Sequence, residues 1–412
     1  MSISNFGSHI IILYEYICIT KIQLNISTNR MEYRYLGNTG IKVSAIALGC
    51  EGFTNKTAEE VKHNFNFAIS RGINFVDIYT SNPAVRSNIG SAISGRRSDF
   101  VLQAHLCTVW ENEQYLRTRN IKKVKIGFSD LLERLQTDHL DIGMIHYVDD
   151  KEDFHKVFDG EIYQYASQLK KEGKIRSIGL SSHNPEVALK AVEKGLIDVL
   201  MFSINPCYDL QPAGTDCEAL WADESYEHEL QNIDPLRERL YELCESKGIG
   251  IDVMKVYGGG DILSEENSPF GKAFTPVQCI QYALTRPAVA AVMLGCKTEK
   301  EMSQAIEWCN ASDNDKDYAS AISGMEKFTW KGHCMYCGHC APCTSSIDIA
   351  MVNKLFNLTK AQGMIPETVR EHYKALSHHA SECIKCGRCE KNCPFGVEII
   401  QGMQNATETF GF

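Results

Sequence analysis

Between residues 31 and 325 the chain alternates short apolar runs with amphipathic stretches. Eight runs stand out: Ala45–Leu48, Asn74–Asp77, Phe100–His105, Ile142–His146, Ser177–Ser181, Val199–Ser203, Gly250–Lys255 and Val289–Leu294. Each is short, mostly apolar and often β-branched, the pattern of strands covered on both faces in a parallel sheet. The stretches between them carry helix punctuation. Thr57–Glu60 and Thr298–Glu301 read as capping boxes, and Asn184-Pro185, Asp234-Pro235 and Thr275-Pro276 each set an N-cap residue before a first-turn proline. Gly72, Gly173, Gly195 and Gly248 stand where left-handed helix ends are expected. Eight such units predict an α/β chain folded as a (β/α)8 barrel. An open doubly wound sheet is the competitor, but no GxGxxG follows the first run.

In a barrel the chemistry gathers where strands end. Asp77, His105, His146, Ser181 and Lys255 each close an apolar run, and five polar groups on one rim predict a pocket. Residues 206–233 hold seven carboxylates, among them Asp209, with no Lys or Arg. They read as a lid or as a solvated acidic loop. Arg117, Arg119, Lys122, Lys123 and Lys125 either attract a phosphate or pair with acidic neighbours, the second reading being preferred.

The 412 residues leave room for more than one domain. No apolar stretch approaches the roughly 20 residues that span a bilayer, so no membrane partner is expected. A net charge of −10 argues against nucleic acid. Residues 1–30 lack a basic start and a small-residue cleavage site, and are expected to be a non-essential extension ahead of Met31. Seventeen cysteines in a long chain without an export signal point to a reducing, cytoplasmic setting.

Eight of those cysteines lie between residues 334 and 393. The run CIKCGRCEKNCP supplies Cys383, Cys386, Cys389 and Cys393, the CxxCxxCxxxCP spacing of two-cluster ferredoxins. A zinc site takes two CxxC knuckles and has no use for a third cysteine at the same step. Upstream, CMYCGHCAPC supplies Cys334, Cys337, Cys340 and Cys343. Two [4Fe-4S] clusters are therefore expected. With crossed ligation one takes Cys334, Cys337, Cys340 and Cys393, the other Cys383, Cys386, Cys389 and Cys343, although spacing alone leaves the two fourth ligands open. Cys50, alone after the first run and outside any CxxxCxxC, argues against radical chemistry with S-adenosylmethionine.

The stretches RYLGNTGIKVSAIALGC, GINFVDIY, DLLERLQTDHLDIGMIH, KKEGKIRSIGLSSHNPE and VMLGCKTEKEM resemble the aldo-keto reductases, specifically those with a C-terminal ferredoxin-type domain, from about Tyr33 to Val397. The resemblance implies a barrel (31–325) that holds NAD or NADP at its mouth, followed by a ferredoxin-like domain (326–412). It also implies an Asp, Tyr, Lys and His tetrad that protonates a carbonyl as hydride arrives. Asp77 and His146 match two members; Asn82 and His105 stand where the tyrosine and lysine belong. Tyr79, with His105 and His146 as an acid/base pair, is the expected repair. By the same resemblance Ser181 meets the nicotinamide, with Ser182 and Asn205 alongside. Ser182 and Met201 replace the family's Asn and Gln there. Lys255 with Gly258, Gly259 and Gly260 approaches the pyrophosphate, or is only a turn, and Lys297 and Thr298 open a helix toward a 2′-phosphate.

Two functions follow as expectations. One is an oxidoreductase acting on a small molecule, with the clusters relaying single electrons. The other is an electron carrier that docks a redox protein and whose barrel has lost its chemistry.

Overall fold

The computed structural model describes residues 31–209, 233–266, 268, 272–318, 334, 340–362, 365, 367–393 and 396–412. The N-terminal extension, the acidic segment beyond Asp209, the expected boundary near residue 325 and Cys337 lie outside them. Met31–Phe412 forms one compact unit.

Two short strands, β1 (Tyr33–Tyr35) and β2 (Lys42–Ser44), pair antiparallel ahead of the barrel. Then come β3 (Ile46–Gly49), α1 (Ala58–Ser70), β4 (Phe75–Ile78), α2 (Pro83–Ile93), β5 (Val101–Leu106), β6 (Thr108–Glu111), β7 (Gln114–Arg117), α3 (Ile121–Leu135) and β8 (Leu140–Ile145). They are followed by α4 (Lys151–Phe158), α5 (Glu161–Lys171), β9 (Ile175–Ser182), α6 (Pro185–Glu193), β10 (Val199–Ser203) and the single turn α7 (Pro206–Asp209). The barrel finishes with α8 (Pro235–Lys247), β11 (Gly250–Met254), α9 (Pro276–Leu284), β12 (Val289–Leu294) and α10 (Glu299–Ile306). Eight parallel strands close in the order β10-β11-β12-β3-β4-β5-β8-β9. The expected (β/α)8 barrel is present, and every apolar run lies within two residues of its strand.

The punctuation works as the sequence reads. Thr57 and Glu60 form a reciprocal capping box, Asn184, Asp234 and Thr275 cap before their prolines, and Gly72, Gly173, Gly195 and Gly248 all take positive φ. At α10 the box is altered: Thr298 accepts from the Glu301 amide, but the Glu301 carboxylate takes the Lys297 amide at 2.6 Å.

The β1–β2 hairpin closes the N-terminal end of the barrel. Leu36, Ile41 and Val43 pack with Phe75, Ile142, Met144, Val199, Met201 and Met293, filling the interior as the fold requires. The approach depends on Gly37, at φ +54, where a Cβ would lie 2.2 Å from the Gly248 carbonyl.

At the opposite end, two features depart from expectation. β6 and β7 form an antiparallel hairpin directly after β5, turning at Asn112 and Glu113, both left-handed as a two-residue primed turn demands. Asp209, assigned from sequence to a lid or a solvated acidic loop, is fully buried in α7. It accepts from the Tyr241 and Tyr282 hydroxyls at 2.6 and 3.0 Å, with Arg237 at 3.8 Å. A carboxylate so enclosed is held by paired donors, not by water.

Helices α11 (Ile349–Gln362), α12 (Glu367–Lys374), α13 (Arg388–Asn392) and α14 (Ile399–Phe410) build the C-terminal part. Tyr373 stacks on Phe410 with ring centroids 3.9 Å apart and donates to the Phe412 carbonyl. Among the described residues no helix is long and apolar enough to cross a membrane.

Candidate active site and cysteine cavity

Asp77 sits in β4, Gln103 and His105 in β5, and His146 directly after β8. Alternation along neighbouring parallel strands turns all four inward at the C-terminal mouth. All four are buried. His105 and His146 face each other through their Nδ1 atoms at 2.7 Å, and His105 Nε2 lies 3.1 Å from Asp77 Oδ1. Gln103 Nε2 donates to Asp77 Oδ1 at 3.0 Å and to Asp252 Oδ1 at 3.1 Å. Asp252 Oδ2 and Gln103 Oε1 are buried without hydrogen-bond partners among the described residues. Burial, then the charge on Asp77, pushes the Asp252 carboxyl well above the usual range.

The outer end of this row is a residue the sequence reading did not single out. Tyr115, in β7, places its hydroxyl in hydrogen-bond contact with His146 Nε2. The signal available was faint: Asn112 between two alternating four-residue segments, without the glycine that usually marks a primed turn. Tyr79 is also present, stacked on His146 at 6.3 Å and 12°, and edge-on to His105 and Tyr115. Its hydroxyl has no hydrogen-bond partner among the described residues. Burial, followed by the charge on Glu51, raises its pKa well above the ordinary value, and burial does the same for Tyr115. Burial, then the neighbouring His105 ring and the Arg119 and Arg117 guanidiniums, hold His146 well below the usual imidazole value. Asn82, at the family tyrosine's position, caps α2 by accepting from the Ala84 and Val85 amides.

The basic run is largely consumed by pairing. Arg117 and Arg119 both hold Asp153 at 2.6 Å, Arg117 lies 4.2 Å over the Tyr147 ring, and Lys123 pairs with Glu111.

The expected nucleotide-binding residues divide into two groups. Ser182 donates to the Val148 carbonyl, and Asn205 donates to the Lys255 carbonyl while accepting from the Tyr208 amide, so both polar groups serve the fold. Thr298 caps α10, and the Glu301 carboxylate occupies the amide of Lys297. Ser181 is buried at the end of β9 with its hydroxyl uncommitted among the described residues. Lys255, at φ +60, makes no ion pair among them. Gly258, Gly259 and Gly260 all take positive φ in one short turn. Ser181, Lys255 and this turn therefore fit a ligand at the mouth.

In the C-terminal part Cys343, Cys383, Cys386 and Cys389 line one cavity, with Ile347, Ile349, Ile384, Ile400 and Met403 making it apolar. Among the described residues no three metal-binding side chains close on a single point, and these four thiols ring a space instead. Four thiolates around a largely apolar cavity fit a cubane bound at its corners. Thr344 Oγ1 lies 3.4 Å from Cys386 Sγ and, with the Arg388 amide, holds that thiol below its usual range; burial pushes Cys389 up to about 11. Cys334 accepts from Asn353 Nδ2 at 3.6 Å, and neither it, Cys340 nor Cys393 lines this cavity.

Residues 45–278 match the model of the Aldo/keto reductase family. The chain belongs to the aldo/keto reductase family. Residues 377–398 match a 4Fe-4S binding domain, so this aldo/keto reductase carries an iron–sulfur motif after its barrel. It is 26% identical over 314 residues to the uncharacterised oxidoreductase YqkF of Bacillus subtilis, spanning 72% of this chain and 97% of that one. It is 24% identical over 318 residues to the L-galactose dehydrogenase of Arabidopsis thaliana, spanning 67% and 88%. Among solved structures, an aldo-keto reductase from Bacillus halodurans in its holo form superposes with a TM-score of 0.56 at 20% identity, covering 74% of this chain and 99% of that one.

Proposed function

We propose that this aldo/keto reductase joins a nicotinamide-dependent reaction on a small hydroxyl or carbonyl compound to one-electron transfer through two [4Fe-4S] clusters. The observation that carries the reading is one hairpin serving both sites. Gln114 Nε2 donates to the Cys343 carbonyl at 2.9 Å, while the adjacent Tyr115 meets His146. The cysteine cavity and the buried acid/base row are thus tied to neighbouring residues of one strand.

Bound at the mouth, a nicotinamide would supply the hydride chemistry, with Ser181 at its amide and Lys255 and the turn Gly258, Gly259 and Gly260 near its phosphates. The chain's own part is proton handling. Asp77, His105 and His146 form a continuous row with the Tyr115 phenol at its outer end and Tyr79 stacked against His146, and burial excludes water from the two imidazoles. The name of the Arabidopsis relative supports a sugar-like hydroxyl compound as the first substrate to try. In the C-terminal part Cys383, Cys386, Cys389 and Cys343 would hold one cluster, and Cys334, Cys337, Cys340 and Cys393 the other.

One set of observations favours the electron-carrier reading instead: Asn82, Ser182 and Asn205 are spent on capping and loop bonds. In that case a redox protein is the partner and the barrel only docks it.

Anaerobic reconstitution with iron and sulfide counts, followed by titration with NADH and NADPH and a sugar screen begun with L-galactose, separates the two. Nucleotide binding with cluster bleaching on substrate addition is the expected result. Full clusters that ignore nicotinamides and every substrate would leave the carrier.

A further inference from the structure

Tyr79 and Tyr115 both reach the mouth, but only Tyr115 has anywhere to send a proton. The hydrogen bonds behind it determine their own direction. The Gln103 amide nitrogen lies between two carboxyl oxygens, so Asp77 Oδ1 is an acceptor. His105 Nε2, 3.1 Å from that oxygen, therefore donates. In an uncharged ring His105 Nδ1 is then the acceptor, which obliges His146 Nδ1, 2.7 Å away, to donate. His146 Nε2 is left as an acceptor, and the Tyr115 hydroxyl donates to it. Every proton in the row points inward, from Tyr115 to Asp77. The phenol oxygen thus turns only lone pairs toward a ligand.

We propose that Tyr115 is the catalytic phenol of this barrel and that it accepts a proton from a substrate hydroxyl, passing its own to His146. The identity of the group it meets rests on the oxidoreductase reading above; the direction of the row does not. The net change is one proton passed along the row, and no electron moves. The substrate O–H bond breaks as Tyr115 O gains its hydrogen, and the Tyr115 proton goes to His146 Nε2. The Nδ1 proton of His146 goes to His105, and the Nε2 proton of His105 to the Asp77 carboxylate. The substrate is left an alkoxide, prepared to lose hydride. One extra proton on the histidine pair would put a hydrogen on His146 Nε2, reverse its bond to Tyr115 and free the Tyr115 hydroxyl to donate to a ligand, while His105 Nε2 would still donate to Asp77. The groups around the pair are Asp77 on β4, Arg117 and Arg119 at and after β7, and His183 after β9. Burial and these cations favour an uncharged His146.

The ligand class follows from the lone pairs: an alcohol that can donate to the phenol oxygen, in preference to a carbonyl that cannot. Tyr79, stacked on His146 and without a hydrogen-bond partner among the described residues, is a wall of the same pocket.

The test uses full-length protein with its clusters, labelled with nitrogen-15 at histidine, and reads ring tautomers by nuclear magnetic resonance at neutral pH. His105→Gln and His146→Gln assign the signals. The expected result is a proton on Nε2 of His105 and on Nδ1 of His146. Tyr115→Phe should shift His146 Nε2 and leave the His105 tautomer in place, and Tyr79→Phe should move neither. A proton on His146 Nε2 in the wild type overturns the proposal. With an alcohol from the sugar screen and an oxidised nicotinamide, Tyr115→Phe should lower kcat about 100-fold or more and abolish the solvent isotope effect. Unchanged turnover in Tyr115→Phe also overturns it. A screen without any turnover rejects the oxidoreductase reading, and the tautomers then decide the row by themselves.

Discussion

Gln114 donates its side-chain amide to the Cys343 carbonyl, so the hairpin that carries Tyr115 is pinned to the segment whose Cys343 lines the cysteine cavity. Gln114→Ala removes a single part-buried hydrogen bond, worth about 0.5–1.5 kcal/mol. Urea unfolding should report a loss of that size. Iron content should stay at the wild-type level, and substrate-driven cluster bleaching should slow, because the contact links the two parts without ligating either group.

The cavity joins Cys343 to Cys383, Cys386 and Cys389 across about forty residues of sequence. Cys343→Ser and Cys386→Ser should therefore each lower iron from about eight to about four per chain and delete the same low-temperature paramagnetic signal. Cys334→Ser should delete the other signal. Pairing of the Cys343 loss with the Cys334 signal would show that the ligation is not crossed.

Acid should weaken the barrel through His146. Its folded pKa lies well below the ordinary 6.5, so below that pH the unfolded chain binds a proton that the folded one refuses. Stability is then complete above about pH 6.5 and falls as pH drops below it, toward the folded value. Between pH 7.5 and 5.5 the loss is on the order of 1 kcal/mol from this ring, and His146→Asn should remove that part of the slope. Urea midpoints at the two pH values make the comparison.

Gly90, in α2, faces the end of α3 so closely that a Cβ would lie 2.0 Å from the Arg134 carbonyl. The obstacle is backbone, which cannot swing aside. Gly90→Ala should destabilise the barrel by about 1–3 kcal/mol in thermal or urea unfolding, despite the better helix propensity of alanine.

Much of the barrel was legible because its signals are local. Thr57 with Glu60, Asn184 before Pro185 and Gly173 after α5 satisfy their own helix ends wherever those helices pack. Asp77, His105 and His146 could be placed on one rim because strand ends converge in any such barrel. Asp209 could not be read correctly, since its burial depends on Tyr241 and Tyr282, far along the chain. Nor could Tyr115, whose hairpin has a primed turn built from Asn and Glu.

By itself the amino-acid order determined the eight strand–helix units and the cysteine steps that suit iron–sulfur clusters. Both are written in spacings of a few residues, where pleat, helical turn and ligand bite impose their own periods. Only the tertiary structure decided which phenol reaches His146, that Cys343 joins the Cys383 set around one cavity, and that Ser182 and Asn205 spend their polar groups on the fold. Those outcomes depend on distances between groups remote in sequence, and chain closure, not local preference, sets such distances.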